Sequence, residues 1–264
     1  MRSANVRRPA VAGLFYPADP RALAREVERL LAQSTAAPAP PPKAIIAPHA
    51  GYIYSGSVAA SAYTRLRAAR DTIRRVVLLG PAHRVWFHGL ALPSTQYFES
   101  PLGRVPLDAQ ALERIVDLPQ VTVNDRAHAE EHSLEVHLPF LQTLFADFAL
   151  VPLVVGQADA AEVGEVIERL WGGPETLIVV SSDLSHYHPY ETAQRLDRAT
   201  SAAIEALRYE AIGDADACGR IPVSGLLYVA RRRGLAVRTI DLRNSGDTAG
   251  PRESVVGYGA YLVQ

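Results

Sequence analysis

The sequence predicts a single α/β domain spanning residues 1–264, with a central mixed, mostly parallel sheet and helices on both faces. Apolar strand-like runs alternate with segments of helical period, the pattern of a sheet whose strands are linked by packed helices. The stretches Lys43–His49, Arg75–His83 and Thr176–His186 each pass from an apolar run through a breaker or polar turn to a histidine, which repeats one strand-to-loop unit. No repeat or composition shift marks a domain boundary, and 264 residues suffice for one large core.

The elements follow in order. Arg8-Pro-Ala-Val-Ala-Gly-Leu-Phe-Tyr-Pro17 is an irregular lead-in. Asp19 caps a helix with Pro20 at its first position and Leu23, Val27, Leu30 and Leu31 as its buried stripe. The Pro/Ala-rich stretch Ala36–Pro42 reads as a stiff connection into strand Ala44–Ala47. Pro48 ends that strand, having no N–H to donate. His49 follows, then a loop bracketed by Gly51 and Gly56, then a helical period through Val58, Ala62 and Leu66. Arg75 to His83 repeats strand, breaker and histidine. Next come a strand at Gly89–Pro93, a polar connection with Tyr97 and Phe98, and a helix from Asp108 to about Leu118. Glu131–Phe145 reads as a helix kinked or restarted at Pro139, with His128 ahead of it. Phe148–Val155 is a strand, and Ala160–Trp171 a helix stopped by Gly172-Gly173-Pro174. Thr176–His186 gives the same pattern a third time, an apolar strand leading to Asp183 and His186. Helices at Tyr190–Tyr209 and Val223–Arg233 and strands at Ala236–Leu242 and Val255–Val263 close the chain.

Composition excludes several classes of function. A formal net charge of −1 offers no basic face for nucleic acid, and the Arg231-Arg232-Arg233 run is the end of a solvated helix. No apolar run approaches the roughly 20 residues of a membrane span. The basic start, Met1–Arg8, lacks the apolar core of a signal peptide. With Cys218 the only cysteine, no internal disulfide forms, and a reducing cytoplasm fits best.

His49, His83 and the Asp183/His186 pair stand at ends of strands, and carboxyl ends of neighbouring parallel strands converge on one crevice. That placement makes a shared site the stronger reading over separate packing roles. His88 and His188 lack it and are read as surface. Cys218 precedes Gly219 near a helix start, where the helix dipole favours a thiolate, both nucleophile and soft metal ligand. In Glu130-Glu-His-Ser-Leu-Glu-Val-His137 the histidines are five apart, so the zinc-protease helix, which needs a spacing of four, is excluded. Glu131 and Glu135 are candidates to orient a ligand histidine from behind, alongside His132. There is no dinucleotide-binding glycine fingerprint, Walker loop or nucleophile elbow. Ser55, Ser181 and Ser185 leave a hydrolase open.

Taken together, the Arg8–Pro17 segment, Pro48-His-Ala-Gly-Tyr-Ile-Tyr-Ser-Gly56, Gly80-Pro-Ala-His83, Glu131-His-Ser-Leu-Glu-Val-His-Leu-Pro-Phe-Leu-Gln142, Ser181-Ser-Asp-Leu-Ser-His186 and Cys218-Gly219 resemble the Memo-like family, including its AmmeMemoRadiSam system protein B branch. The resemblance runs in order along nearly the whole chain. It implies a fold similar to class III extradiol dioxygenases of the LigB type, which hold non-haem Fe(II) with two histidines and a carboxylate. His49 and His83 match the ligand histidines and His186 the nearby acid/base histidine. Cys218 stands where the carboxylate is expected, a softer ligand that favours copper or a different iron chemistry. Phe15, Tyr54 and Asp183 match pocket positions. The resemblance also implies radical-SAM and AMMECR-type protein partners.

The expectation is therefore a cytoplasmic metal-dependent redox enzyme acting on a small molecule or O₂. Non-haem iron or copper, with zinc also compatible, would sit on His49, His83 and Cys218. His186 would be acid/base with Asp183 as its orienter, and Phe15 and Tyr54 would wall the pocket. The alternatives are a binding module that accepts a peptide in the same pocket and a metal-independent hydrolase using Cys218 or a serine.

Overall fold

The computed structural model describes residues 5–34 and 39–264; the Met1–Arg8 start and the Ala36–Pro42 connection fall partly outside the described residues. In chain order the elements are β1 (Val6–Arg7), α1 (Pro20–Gln33), β2 (Ala44–Ala47), α2 (Tyr52–Tyr63), β3 (Arg75–Pro81), β4 (Leu90–Leu92), β5 (Tyr97–Ser100) and β6 (Gly103–Pro106). There follow α3 (Ala109–Glu113), β7 (Val121–Val123), α4 (Asp125–Ala129), α5 (Leu138–Leu144), β8 (Ala149–Val155), α6 (Ala160–Arg169) and β9 (Thr176–Ser181). The chain ends with β10 (His186–His188), α7 (Tyr190–Glu205), α8 (Arg220–Arg233), β11 (Val237–Asn244) and β12 (Val255–Val263).

A nine-stranded sheet runs in the order β10-β12-β2-β9-β3-β8-β4-β7, with β11 also paired to β12. Its centre, β2-β9-β3-β8, is parallel, and antiparallel pairs flank it on both sides. Side chains alternate across the pleat, so each central strand feeds two cores. Ile45, Leu78, Val179 and Leu150 face α1, α2 and α5, whereas Ile46, Val77, Val180 and Val151 face α6 and α8. That double burial is why these strands read as unbroken apolar runs; each such side chain contributes about 1.5–3 kcal/mol. The α/β class with helices on both sheet faces is as the sequence predicts. No helix among the described residues is long and apolar enough to cross a membrane.

Local signals were legible at the caps. The Asp19 side chain accepts from the Ala22 amide at 2.8 Å, with Pro20 opening α1. Asp159 and Glu162 form a capping box at the start of α6. At the far end of α8, Gly234 takes the left-handed conformation directly after the arginine run.

Several boundaries differ from expectation. The helix after His49 begins at Tyr52, not after Gly56; Gly56 lies inside it, where a Cβ would meet Leu30 Cδ1 of α1 at 2.9 Å, so its absence lets the two helices pack closely. The helix expected over 131–145 is absent as such: Glu130–Leu134 is irregular, Glu135–His137 is a single 3₁₀ turn, and α5 starts at Leu138 with Pro139 in its first turn. Proline is accepted there, where no intrahelical N–H is needed, and would clash in a continuous helix. His128 precedes the 131–145 segment, as expected, but lies within a short helix of its own, α4. The connection around Tyr97 and Phe98 is the β5–β6 hairpin, which pairs with β1 in a separate three-stranded sheet.

Candidate metal centre and its pocket

Strand register builds the site. Parallel pairing sets Ala47 of β2 beside Ser181 of β9, so His49 and Asp183, each two residues further on, emerge side by side. Pro48 cannot continue the ladder, and the His49 amide turns to Asp183 Oδ1 at 2.8 Å. The Asp183 carboxylate is thus committed to the backbone at His49, and among the described residues no hydrogen bond links it to His186. This differs from the expected pairing of Asp183 with His186. Burial pushes the Asp183 carboxyl up to about 7 despite the amides it accepts from.

β3, the other neighbour of β9, delivers His83 to the same edge. Glu131, almost wholly buried, fastens it: Oε2 accepts from the His83 amide at 2.6 Å and Oε1 lies 2.8 Å from His83 Nδ1. The same Oε1 accepts from the His132 and Ser133 amides, each at 2.9 Å. Burial alone would raise the Glu131 carboxyl, but the bonds to His83 and the neighbouring amides hold it down at about 2. The irregular backbone at 130–134 is what lets one carboxylate collect these donors. Glu135, the other carboxylate of that segment, turns instead to Arg7, Tyr16 and the Ala10 and Val11 amides, tying the lead-in to the site's floor.

His132 stacks on His83 with ring centroids 4.7 Å apart and lies edge-on to His49 at 5.5 Å. One donor atom from each of His49, His83 and His132 falls within 4.8 Å of the others. Burial, with the neighbouring histidines, holds His49 well below its ordinary value, and burial lowers His132 to about 4. Burial thus favours the neutral form of His49 and His132, which offers a lone pair. His132 Nδ1 is buried without a hydrogen-bond partner.

Cys218 lies just before α8, and Gly219 is the helix N-cap. A Cβ at Gly219 would run into the Ser181 carbonyl and meet Ser182 Cβ at 2.6 Å, so glycine is what lets α8 close onto β9. That approach sets Cys218 Sγ 3.4 Å from His49 Nε2 and brings the Asp183 amide to the sulfur at 3.3 Å. Burial and the nearby Asp183 carboxylate push this thiol well up from its ordinary value. The helix terminus does not offset them, contrary to the thiolate expected from sequence.

An open pocket of about 640 Å³ unites these groups. His49, His83, His132, Asp183 and Cys218 line its floor, Phe15 and Tyr54 one wall, and His186 with Tyr258 another. Phe15 packs on His132 with centroids 4.8 Å apart. His186 is half-buried on β10, whose pairing with β12 is irregular, and burial lowers its pKa. Glu131 sits behind the floor. His88 is exposed beside Trp86. Sequence reasoning did not foresee the segment from Ser245 to Val256, which closes the far rim, or the buried His137 and Ser181 behind His49. His137 carries no strand-end signal in the sequence; the 3₁₀ turn Glu135–His137 sets its Nε2 2.8 Å from Ser181 Oγ.

The donors fit a first-row transition metal. Imidazole suits iron, copper and zinc alike, and the carboxylate behind His83 follows the common histidine–carboxylate support of metal sites. Two donors sharing one tetrahedral ion stand roughly 3.5 Å apart at ordinary metal–nitrogen and metal–sulfur lengths. The Cys218–His49 separation of 3.4 Å agrees with that.

Comparison with known proteins places nearly the whole chain in one family. A model of the family described as Memo-like protein matches residues 7–262. A MEMO1 family protein of Aquifex aeolicus is 36% identical over 268 residues, covering 96% of this chain and 97% of its own. One from Ignicoccus hospitalis is 37% identical over 285 residues, covering 97% of each. A solved structure of an uncharacterized Escherichia coli K12 protein superposes with a TM-score of 0.52 at 15% identity, covering 83% of this chain and 98% of that one, a likeness of fold alone. The chain belongs to the Memo-like family.

Proposed function

We propose that this chain is a cytoplasmic, metal-dependent redox enzyme that takes a small molecule into the pocket above His49, His83 and His132. The observation that carries this reading is the convergence of three imidazoles, with donor atoms within 4.8 Å of one another, at the floor of that pocket. Cys218 adjoins His49 and adds a soft donor once its proton leaves. His132 is thus read as a ligand, where the sequence suggested only a supporting role. Bound iron or copper would supply one-electron chemistry and an open coordination position for substrate or O₂.

The protein's own groups do the rest. Glu131 holds the His83 ring in place and Asp183 the His49 backbone. His186, half-buried across the pocket with burial holding its pKa below the ordinary value, is placed to accept a proton from a bound hydroxyl and return it. Phe15 and Tyr54 exclude water from one side and offer faces for a planar substrate. Elemental analysis of protein purified without oxygen and without a metal-binding tag tests the proposal. Stoichiometric iron or copper is expected, lost in His49→Ala, His83→Ala and His132→Ala, with about tenfold weaker binding in Cys218→Ser. Absence of metal from freshly purified protein that also fails to bind added Fe(II), Cu(I) or Zn(II) refutes it.

A second reading draws on the pocket mouth, where Leu14 and Ile53 are 81% and 69% exposed and Tyr187 76%. Such a rim favours an apolar peptide segment of a partner, the radical-SAM and AMMECR-type proteins being those the family resemblance suggests. Peptide binding that a chelator leaves unchanged would favour this module over the enzyme.

A further inference from the structure

Behind His49 lies a chain of buried polar groups that no step above has used. Tyr63 OH is 2.8 Å from His137 Nδ1, and His137 Nε2 is 2.8 Å from Ser181 Oγ. Ser181 Oγ is in turn 2.6 Å from His49 Nδ1 and 2.7 Å from the Ser133 carbonyl oxygen. All four side chains are buried, so each contact must be satisfied within the protein.

Hydrogen-bond accounting leaves one arrangement. A serine hydroxyl has one proton and two lone pairs, and a backbone carbonyl can only accept. The Ser181 proton therefore goes to Ser133 O. Both imidazoles must then donate to Ser181 Oγ, His137 through Nε2–H and His49 through Nδ1–H. His137 Nδ1 is left bare and accepts from the Tyr63 hydroxyl. Every donor has an acceptor and no proton is shared twice.

We infer that Ser181 is the positioning residue that sets the proton on His49, holding it on Nδ1 so that Nε2 faces the pocket as a bare lone pair. His49 Nε2 is the nitrogen 3.4 Å from Cys218 Sγ. The parallel register makes this arrangement local to the fold: Ser181 is the last residue of β9, paired with Ala47, and its side chain turns toward the helices that carry Tyr63 and follow His137. An unconstrained neutral imidazole divides its proton between two nitrogens. Here the division is removed before any ligand arrives, and the ring cannot rotate without breaking the Ser181 bond.

The inference rests on the metal-site reading for its purpose but not for its test. Long-range ¹H–¹⁵N spectra of metal-free wild-type protein report each ring nitrogen as protonated or bare. His49 is expected to show protonated Nδ1 and bare Nε2, and His137 the reverse. Ser181→Ala should move His49 to a mixed or Nε2–H signature, and Ser181→Thr, which keeps the hydroxyl, should restore it. Tyr63→Phe should loosen the tautomer of His137 while leaving that of His49 in place. Zn(II), used as a probe in chelator competition, should bind about tenfold more weakly to Ser181→Ala than to wild type. A wild-type His49 bearing its proton on Nε2 overturns the inference without any variant having to fold, as does an unchanged His49 signature in folded Ser181→Ala. Failure of wild type to bind Zn(II) with the His49 signature as expected would count against the metal reading alone.

Discussion

Replacing Glu131 by glutamine removes one charge from behind the pocket floor while keeping the side chain's shape. In the native site Oε1 takes three donors, His83 Nδ1 and the His132 and Ser133 amides, while Oε2 takes the His83 amide. A glutamine oxygen in the Oε1 position keeps the three, at neutral strength. Its NH₂ then faces the His83 N–H, donor against donor. One buried amide left unpaired costs about 1–3 kcal/mol, and weakening three charge-assisted bonds adds to it. The expected loss is about 2–4 kcal/mol, or about 4–7 °C in melting temperature for a chain of this size. Affinity for Zn(II) should fall about 10- to 100-fold, because His83 loses the carboxylate that orients it. Denaturant unfolding of chelator-treated protein measures the first effect and chelator competition the second. Glu131→Ala should be worse on both counts. A Gln variant with wild-type unfolding and wild-type zinc affinity would refute the idea that this carboxylate organises the floor.

Asp197, buried in α7 and accepting from the Ser185 amide at 3.0 Å, gives a pH-dependent test away from the donors. Burial raises its pKa to about 6, so native protein prefers it protonated, and its ionisation costs stability as pH rises from about 4 through about 6. Asp197→Asn should match wild type near pH 4 and exceed it by up to about 3 kcal/mol at pH 8, measured by denaturant unfolding; an equal difference at both pH values contradicts the assignment. Gly219→Ala should cost at least about 2 kcal/mol and weaken Zn(II) binding together, since the added methyl has backbone against it and pushes Cys218 away from His49. A thermal melt and a zinc titration check this, and loss of stability with unchanged zinc affinity would separate α8 from the site. His186→Ala should leave metal stoichiometry intact while slowing any turnover, and loss of metal there would make His186 a ligand.

Phe15 and Tyr54 entered through the family resemblance, whereas residue pattern alone determined the α/β class, the central strands and the placing of His49, His83 and the Asp183/His186 pair after β2, β3 and β9. These depend on local information. An apolar run of four to seven residues followed by a breaker is a buried strand end whatever lies elsewhere, and parallel strand ends converge. Only the tertiary structure decided what each group does there. Asp183 serves His49 because the β2–β9 register sets residues 49 and 183 side by side, a relation between segments 134 residues apart. Glu131–Leu134 is irregular because one buried carboxylate draws in amides that a helix would have kept for itself. His132 joins the donors for the same reason, its ring swung toward His83 by a backbone that periodicity reads as helical. Burial and the Asp183 carboxylate push the Cys218 thiol up against the pull of the helix terminus, a balance of long-range terms that no spacing encodes.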